Sequence, residues 1–228
     1  MYYYLGNSIE KKQIGKFPQS ITTAKRGNLD DIMKESPIQG IPDLPEPIIV
    51  PKALPSTYLG GTTSINTIYF LVLKDYFIEF LKVFKVGEYQ TWPLKVHYRD
   101  EVLNYYRLFH LSYPSTEQIV DYTNSKFVIG IPYDWRDEEV KRKSINITGH
   151  ENYLSTREVL KSDDKQIRCE KLVLNFSNVK EDIIRICDLP YGNGYWVSER
   201  LKNAIEEKGY TGMEFRAPGQ FNEDVEVI

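Results

Sequence analysis

The residues best suited to binding a metal ion are three histidines, His97, His110 and His150. No two of them stand four residues apart and none lies beside a pair of cysteines, whereas a zinc site needs three or four ligands at workable spacing. His97 and His110 fall in a predicted hairpin that would allow them to approach each other. We nevertheless expect no metal site and interpret all three as ordinary core or surface histidines.

Patterns for nucleophiles and phosphate binding are equally sparse. S-x-x-K occurs at 162–165 and 177–180, without the S-D-N and K-T-G elements that accompany it in serine acyl-enzymes. The glycines at 60–61 are not followed by the lysine of a phosphate-binding loop, and the glycine-containing segment 192–194 precedes a predicted strand instead of opening a helix. The sequence therefore predicts no catalytic residue and no cofactor. An enzyme of an unrecognised small-molecule class is left as an alternative.

One segment has the composition of a protein contact site. Two aromatic side chains, an arginine and three acids follow Pro132 there: Tyr133, Asp134, Trp135, Arg136, Asp137 and Glu138. Protein interfaces are enriched in Trp, Tyr and Arg, and the acids would complement a basic partner such as a nuclease. The alternative is a loop leading into a short exposed helix, with Trp135 folded back on the core.

Composition places the chain among globular proteins. It has 228 residues, of which 41% are hydrophobic and 27% charged, so it can bury a core without a metal or a disulfide. Its 29 basic and 32 acidic residues give a net charge of −3, so we do not expect a general nucleic-acid binder. Tyrosine occurs 17 times, which we interpret either as codon bias or as a binding surface.

The sequence predicts neither a membrane span nor a secretory signal. The most apolar stretch, 68–84, is interrupted by charged residues, whereas a span needs about 20 mostly apolar ones. Residues 1–6 show no basic region followed by an apolar one. We therefore expect a cytoplasmic protein without membrane contact, in which Cys169 and Cys187 are reduced core thiols.

The first 65 residues predict little regular structure. Residues 1–5 predict a short edge strand, and 6–35 are polar and ambiguous, with one helical turn. Six prolines fall between 37 and 55, and proline lacks the donor that a sheet or a helix interior needs. That segment predicts an extended N-terminal connector, and its apolar side chains indicate that it packs on the core.

The remaining residues, 66–228, predict an α+β body. Apolar periodicity and turn residues delimit strands at 67–73, 126–131, 145–147, 165–176 and 182–187, helices at 74–84, 116–122 and 151–160, and a hairpin at 89–97 and 103–111. Regular βαβ alternation is lacking, which favours a mixed or antiparallel sheet with a few flanking helices. We predict a single domain over 1–228, in which the irregular residues 1–65 wrap around the body.

The sharpest local pattern is a strand, a helix and a second strand over 195–215. Ser198 is placed to cap the helix, where its hydroxyl can accept an unpaired backbone N–H. Lys208 in the last turn suits the helix dipole, and Gly209 is the expected left-handed stop.

A fainter copy of this element lies about 125 residues earlier. Strand, helix, glycine-containing turn and strand recur in the same order at 67–96 and 195–218. The corresponding pairs are Val72 and Val197, Tyr76 and Leu201, Phe80 and Ile205, and Gly87 and Gly212. An internal duplication is one interpretation, and the other is that any strand–helix–turn unit would match as well.

The C-terminal element resembles the closing element of a family of bacterial immunity proteins, which neutralise the toxin domains of polymorphic toxin systems. The similar residues are Val197-Ser198-Glu199-Arg200-Leu201-Lys202, Gly209, Thr211-Gly212 and Glu214-Phe215. The stretches 90–96 and 105–109 are also similar to parts of such proteins, so that the resemblance covers a little over a third of the chain.

This resemblance implies a non-enzymatic cytoplasmic inhibitor that binds a cognate toxin domain and neutralises it by occlusion, without a cofactor. A structural or adaptor module without a toxin partner is a further alternative.

Overall fold

The computed structural model describes residues 1–62, 64–130, 143–222 and 224–228. Within these ranges the chain forms thirteen strands and six helices. The strands are β1 (Tyr2–Asn7), β2 (Ser20–Lys25), β3 (Glu46–Ile49), β4 (Leu71–Lys74), β5 (Tyr89–Tyr98), β6 (Glu101–Leu111), β7 (Lys126–Gly130), β8 (Lys143–Ile145), β9 (Gln166–Leu174), β10 (Ile183–Ile186), β11 (Gly194–Ser198), β12 (Met213–Arg216) and β13 (Val225–Val227). The helices are α1 (Lys11–Ile14), α2 (Asp75–Leu81), α3 (Thr116–Ile119), α4 (His150–Ser162), α5 (Glu199–Glu207) and α6 (Pro218–Phe221).

The strands of the described residues build three open sheets, which confirms the predicted α+β class. The central sheet has the order β10-β11-β1-β12, the outer sheet β13-β9-β7-β8, and the five-stranded sheet β2-β3-β5-β6-β4. Pairing is antiparallel except between β13 and β9 and between β3 and β5, which run parallel. The sheets are therefore mixed or antiparallel, as the sequence predicts.

The central sheet is buried on both faces, because successive side chains of a strand point to opposite sides. On one face the fully buried Trp196 contacts the rings of Tyr4, Phe176 and Phe221 at 5.6–5.8 Å, in the core shared with the outer sheet. On the other face Val197 packs into the core that the central sheet shares with β4 and β6. Burying a large apolar side chain contributes roughly 1.5–3 kcal/mol. Because its two faces belong to different cores, the central sheet links these two cores.

Two strand–helix–strand units have the same topology. In the first unit, β4-α2-β5, both strands pair antiparallel with β6, which lies between them. In the second unit, β11-α5-β12, both strands pair antiparallel with β1, which again lies between them. Each is thus a split β-α-β unit, whose two parallel strands are separated by a third. Their likeness of topology is an observation, whereas a duplication in their history stays a prediction.

The structure shifts the sequence alignment of the two units by one residue. The helices begin at Asp75 and Glu199, so the buried Phe77 corresponds to Leu201. Tyr76, which we aligned with Leu201, corresponds instead to Arg200 and is 47% exposed.

The N-terminal predictions need three corrections. β1 is an interior strand of the central sheet and not an edge strand. The segment 6–35 contains a helix and a strand, α1 and β2. The proline-rich segment is not an extended connector throughout, because 46–49 forms β3 between β2 and β5.

Proline is tolerated in β3 because of where it falls. Pro47 precedes the two residues that pair with β5, Ile48 and Ile49, and the β2–β3 register is irregular beside it. A missing donor costs least at such a position. The expected packing of the proline-rich segment on the core is confirmed, since Ile38, Ile49 and Val50 are all buried.

Most elements of the body lie where the sequence predicts them. The hairpin is β5 and β6, the second unit has the predicted strands and helix, and β9 has an irregular register with β7, which fits the predicted bulge or bend. Among the described residues no helix combines the length and the apolar character that crossing a membrane requires.

Candidate functional site: a tyrosine surface on the first unit

The predicted contact segment, Tyr133, Asp134, Trp135, Arg136, Asp137 and Glu138, lies outside the described residues. Its neighbours in the chain are β7, which ends at Gly130, and β8, which begins at Lys143. Its contact role therefore stays a prediction.

The three histidines have separate partners in different places. His97 Nε2 lies 2.8 Å from Glu46 Oε2, and His150 Nδ1 lies 2.7 Å from the Tyr122 hydroxyl. His110 donates from Nδ1 to the Tyr69 carbonyl at 3.0 Å. The hairpin keeps His97 and His110 apart, because they pair with Val102 and Gln90 near its opposite ends. Within the described ranges no three potential ligands cluster to hold a metal ion.

Both cysteines are buried free thiols, as predicted. Burial raises the pKa of Cys169 and of Cys187 to about 11. Both groups are therefore protonated at neutral pH and are poor nucleophiles.

At the start of α5, residues of the sharpest sequence pattern have structural tasks. The Ser198 hydroxyl accepts the Leu201 N–H at 3.2 Å, which confirms the predicted cap, and donates to Asp182 at 2.6 Å. Burial alone would raise the pKa of Asp182, but hydrogen bonds from Arg200, Ser198 and the Lys85 amide outweigh it and hold that pKa below its ordinary value. Asp182 thus fixes the helix start to the adjoining chain.

The T-G pair before β12 joins the second unit to Thr57 and Tyr58, and Tyr58 in turn bridges to Leu73 of β4 in the first unit. Thr211 and Thr57 each donate a backbone N–H to the other's hydroxyl at 3.2 Å. Gly212 has a φ of +90°, and a Cβ there would lie 2.0 Å from the Tyr58 carbonyl oxygen. Only glycine allows that approach of the two backbones.

A surface of three tyrosines and a lysine lies beside this junction. We call it the tyrosine surface: Lys74, Tyr76, Tyr105 and Tyr210. Tyr76 and Tyr105 are 47% and 41% exposed. Single exposed aromatics are ordinary, whereas exposed aromatics that lie together are candidates for an interaction site.

A β-bulge in β6 exposes Tyr105. Opposite Leu94 and Val96 of β5, β6 places Tyr106 and Leu103, so it carries one extra residue between them. Asn104 and Tyr105 are consequently both exposed, although side chains of a regular strand alternate. β4 pairs with β6 only as far as Lys74 and Tyr106, so no strand covers Tyr105 on that side.

Lys74 lies among tyrosine rings and has no ion pair within the described ranges. Its Nζ is 5.3 Å from the ring centroid of Tyr105, 5.8 Å from that of Tyr106 and 5.9 Å from that of Tyr76. Burial lowers the pKa of this ammonium group. Cation–π contacts of this kind contribute about 0.5–1 kcal/mol each at exposed sites. The rings and the ammonium group therefore stabilise each other's positions.

Two further contacts hold Tyr76 in place. Its hydroxyl is 2.8 Å from Thr57 Oγ1, and its ring stacks on Tyr210 with centroids 5.5 Å apart. Tyr210 in turn contacts Phe77 and Phe80 edge-on, at 5.2 and 5.0 Å. The surface is thus exposed and at the same time fixed by the core beneath it.

Charged groups border the tyrosine surface. Asp75 pairs with Arg107 at 2.7 Å and Glu79 with Lys82 at 2.7 Å, so these charges are largely compensated. The carboxylate of Glu101 acts on Tyr105 and, after burial, is the next cause of that tyrosine's raised pKa. The tyrosine surface therefore has a partly acidic border around one partly buried cation, Lys74.

Sequence reasoning did not single out these residues. The excess of tyrosine indicated that a binding surface was one of two explanations, but nothing in the count says where it lies. The adjacent Tyr105 and Tyr106 carried a usable signal, since two neighbouring aromatics in a strand cannot both face the core without a bulge. Tyr210 joins them only through the tertiary fold.

No model of a known protein family matches the chain. A search of curated proteins likewise finds no similar sequence.

Proposed function

We propose that this chain is an immunity protein that binds a cognate bacterial toxin domain and neutralises it by occlusion, without chemistry of its own. The observation that carries the proposal is the tyrosine surface, which is exposed, aromatic and held rigid. The resemblance of 197–215 to the closing element of such proteins supports the same function.

The physics of the surface suits a protein partner. Tyrosine offers a large contact area with few rotatable bonds, and tyrosine is among the residues that dominate binding energy in interfaces. Because Tyr76 is already held by Thr57 and Tyr210, little side-chain entropy remains to be lost on binding. A standard interface covers roughly 800 Å² on each partner, so the tyrosine surface would be its centre and not its whole extent.

Charge favours one kind of toxin. The chain carries a net charge of −3, and Glu101 adds negative potential beside Tyr105. A toxin that must bind a polyanionic substrate, such as a nuclease, presents a basic face that these charges complement. Covering that face would block the toxin's access to its target.

The direct test is a calorimetric titration with the C-terminal toxin domain encoded by the neighbouring upstream gene. We expect one-to-one binding with nanomolar or tighter affinity, since leaking toxin must be kept almost fully bound. Tyr76→Ala should weaken binding by roughly 30-fold, about 2 kcal/mol, as expected for a central aromatic residue. Tyr113→Ala is the matched control, because Tyr113 is 54% exposed and lies outside the tyrosine surface.

The outcomes separate the function from the surface. No binding at micromolar concentration would overturn the immunity function and favour an adaptor without a toxin partner. Tight binding that Tyr76→Ala leaves unchanged would keep the function and exclude the tyrosine surface as its centre. Trp135→Ala, in the segment that the sequence predicts as a contact, would then be the next variant.

A further inference from the structure

A cavity of about 380 Å³ lies away from the tyrosine surface, between α4, β9 and the loop after β10. Its polar lining consists of Tyr69, Tyr153, Arg157, Gln166, Asp188 and Asn193. Apolar side chains, among them Ile68 and Leu189, complete its walls. Its volume falls within the range of small-molecule sites.

Arg185 is a buried cation against one wall of this cavity. The residue is 1% exposed, and its guanidinium lies 5.5 Å from the ring centroid of Tyr69. Its Nε has no hydrogen-bond partner, and the described part of the chain provides its guanidinium with neither a hydrogen bond nor an ion pair. Arginine keeps its charge when buried, so this charge stands without a counter-ion.

Surrounding contacts fix the backbone of both Arg185 and Tyr69. The Tyr69 carbonyl accepts the Tyr195 hydroxyl at 2.7 Å and His110 Nδ1 at 3.0 Å. Arg185 is directly paired with Tyr195 across β10 and β11. A buried charge without a partner costs several kcal/mol, and such an arrangement is more readily explained if a ligand supplies the missing charge.

The cavity has a second arginine with donors to spare. Arg157 donates from Nη1 to the carboxylate of Asp188 at 3.2 Å and to its carbonyl at 3.3 Å. Glu158 is 3.8 Å from Nε and is 66% exposed, so solvent weakens that pair. A guanidinium has five N–H donors, and Arg157 therefore retains donors for an oxyanion.

Local charge then decides the class of ligand. Two guanidinium groups lie at or next to the cavity, and only Arg157 is paired with the carboxylate of Asp188. All three act on Tyr69: after burial, Asp188 further raises the pKa of its hydroxyl while the two arginines oppose the rise. The balance near the cavity is positive, and in a medium of low dielectric constant this attracts a negative charge.

We infer that this cavity binds a small organic anion, whose carboxylate or phosphate oxygens are received by Arg157 while the buried charge of Arg185 compensates their charge. Tyr69 and Tyr153 offer flat apolar contact to the rest of such a molecule. This inference rests on other residues than the proposed function and is independent of it.

The test is a titration of the full chain with inorganic phosphate, with glutamate and with a nucleoside monophosphate, each against sodium chloride of equal ionic strength. We expect a saturable rise in melting temperature and one-to-one calorimetric binding with at least one of these probes. Arg185→Met should weaken that binding by roughly tenfold to a hundredfold, the effect of losing a charge-assisted interaction. Without ligand, Arg185→Met should fold at least as stably as the natural chain, because an unpaired buried charge is removed.

Two further variants keep the test decisive. Arg157→Gln removes the direct donor at a half-buried position, so it tests the site even if Arg185→Met does not fold. Arg216→Gln is the matched control, since Arg216 pairs with Glu214 in the central sheet and does not line the cavity. No saturable effect of any probe, or equal effects in the natural chain and in Arg157→Gln, would overturn the inference.

Discussion

The helix of the first unit begins after Lys74, which provides no side-chain cap, and exposes Tyr76 in its first turn. The helix of the second unit begins after Ser198, which caps it, and has Arg200 in the corresponding place, bonded to Asp182. The same split β-α-β topology thus carries the tyrosine surface in the first unit. In the second unit the corresponding helix start is bonded to Asp182 of the adjoining chain. The residues on which the expected family resemblance rests lie at and after the helix start of the second unit. The unit with the more recognisable sequence pattern therefore uses it to build the fold. The surface suited to binding lies in the other unit, whose pattern is fainter.

Glycine before the last strand of each unit should show the largest difference. Gly212→Ala should destabilise the protein by about 3 kcal/mol or more, because a positive φ and a clash with the Tyr58 carbonyl act together. Gly87→Ala should change stability by less than about 0.5 kcal/mol, since a Cβ there meets nothing within 4 Å. Urea unfolding of both variants measures the contrast, and equal losses would contradict it.

The two units should also respond to acid over different pH ranges. Burial and the charge of Arg185 lower the pKa of His110, on the middle strand of the first unit, from 6.5 to about 4. The unfolded chain therefore binds the proton first as pH falls, and stability that is complete above about pH 6.5 is lost toward pH 4, by on the order of 2–3 kcal/mol. Asp182 beside the second unit has a lowered pKa, so its contribution is lost only below about pH 4.

Unfolding free energies at a series of pH values would separate these two contributions. His110→Asn should flatten the dependence between about pH 6.5 and 4, and Asp182→Asn should flatten it below that range. A slope that His110→Asn leaves unchanged would show that this histidine is not held neutral in the folded protein.

The cap of the second helix should give the smallest of these effects. Ser198→Ala removes both the bond to the Leu201 N–H and the bond to Asp182, and should cost about 1 kcal/mol. Ser162→Ala, at an exposed serine in the last turn of α4, is the control and should stay within about 0.5 kcal/mol. Thermal denaturation of both variants measures the difference. Equal melting temperatures would show that the Ser198 cap does not stabilise the second unit.

Local patterns were sufficient to predict the second unit and the hairpin. Ser198 and Gly209 delimit α5 through short-range chemistry, in which the serine bonds three residues onward and the glycine adopts a φ of +67°. Such interactions depend on neighbours in the chain, so the sequence contains them directly. The α+β class follows in the same way from the order of periodic segments.

What escaped prediction depends on distant parts of the chain. The burial of β1 between β11 and β12 depends on pairing with residues about 200 positions later in the chain. β3 forms despite Pro47 because its pairing with β5 begins only at the next residue, Ile48. The tyrosine surface needs a one-residue bulge in β6 and the docking of Tyr210 on α2. The cavity and the charge of Arg185 likewise exist only after three elements have met.

The place of β1 has a consequence for synthesis on the ribosome. Tyr2 pairs with Ser198 and Asn7 with Met213, so the first strand emerges long before its neighbours. At ~5–20 residues per second, its apolar side chains wait on the order of 10–40 seconds for the strands that will enclose them. The central sheet is consequently completed only when β12 has been synthesised, and Tyr210 becomes available to the tyrosine surface just before it. A chain interrupted before residue 210 would therefore lack the strand β12 of the central sheet and the ring of Tyr210 that supports Tyr76.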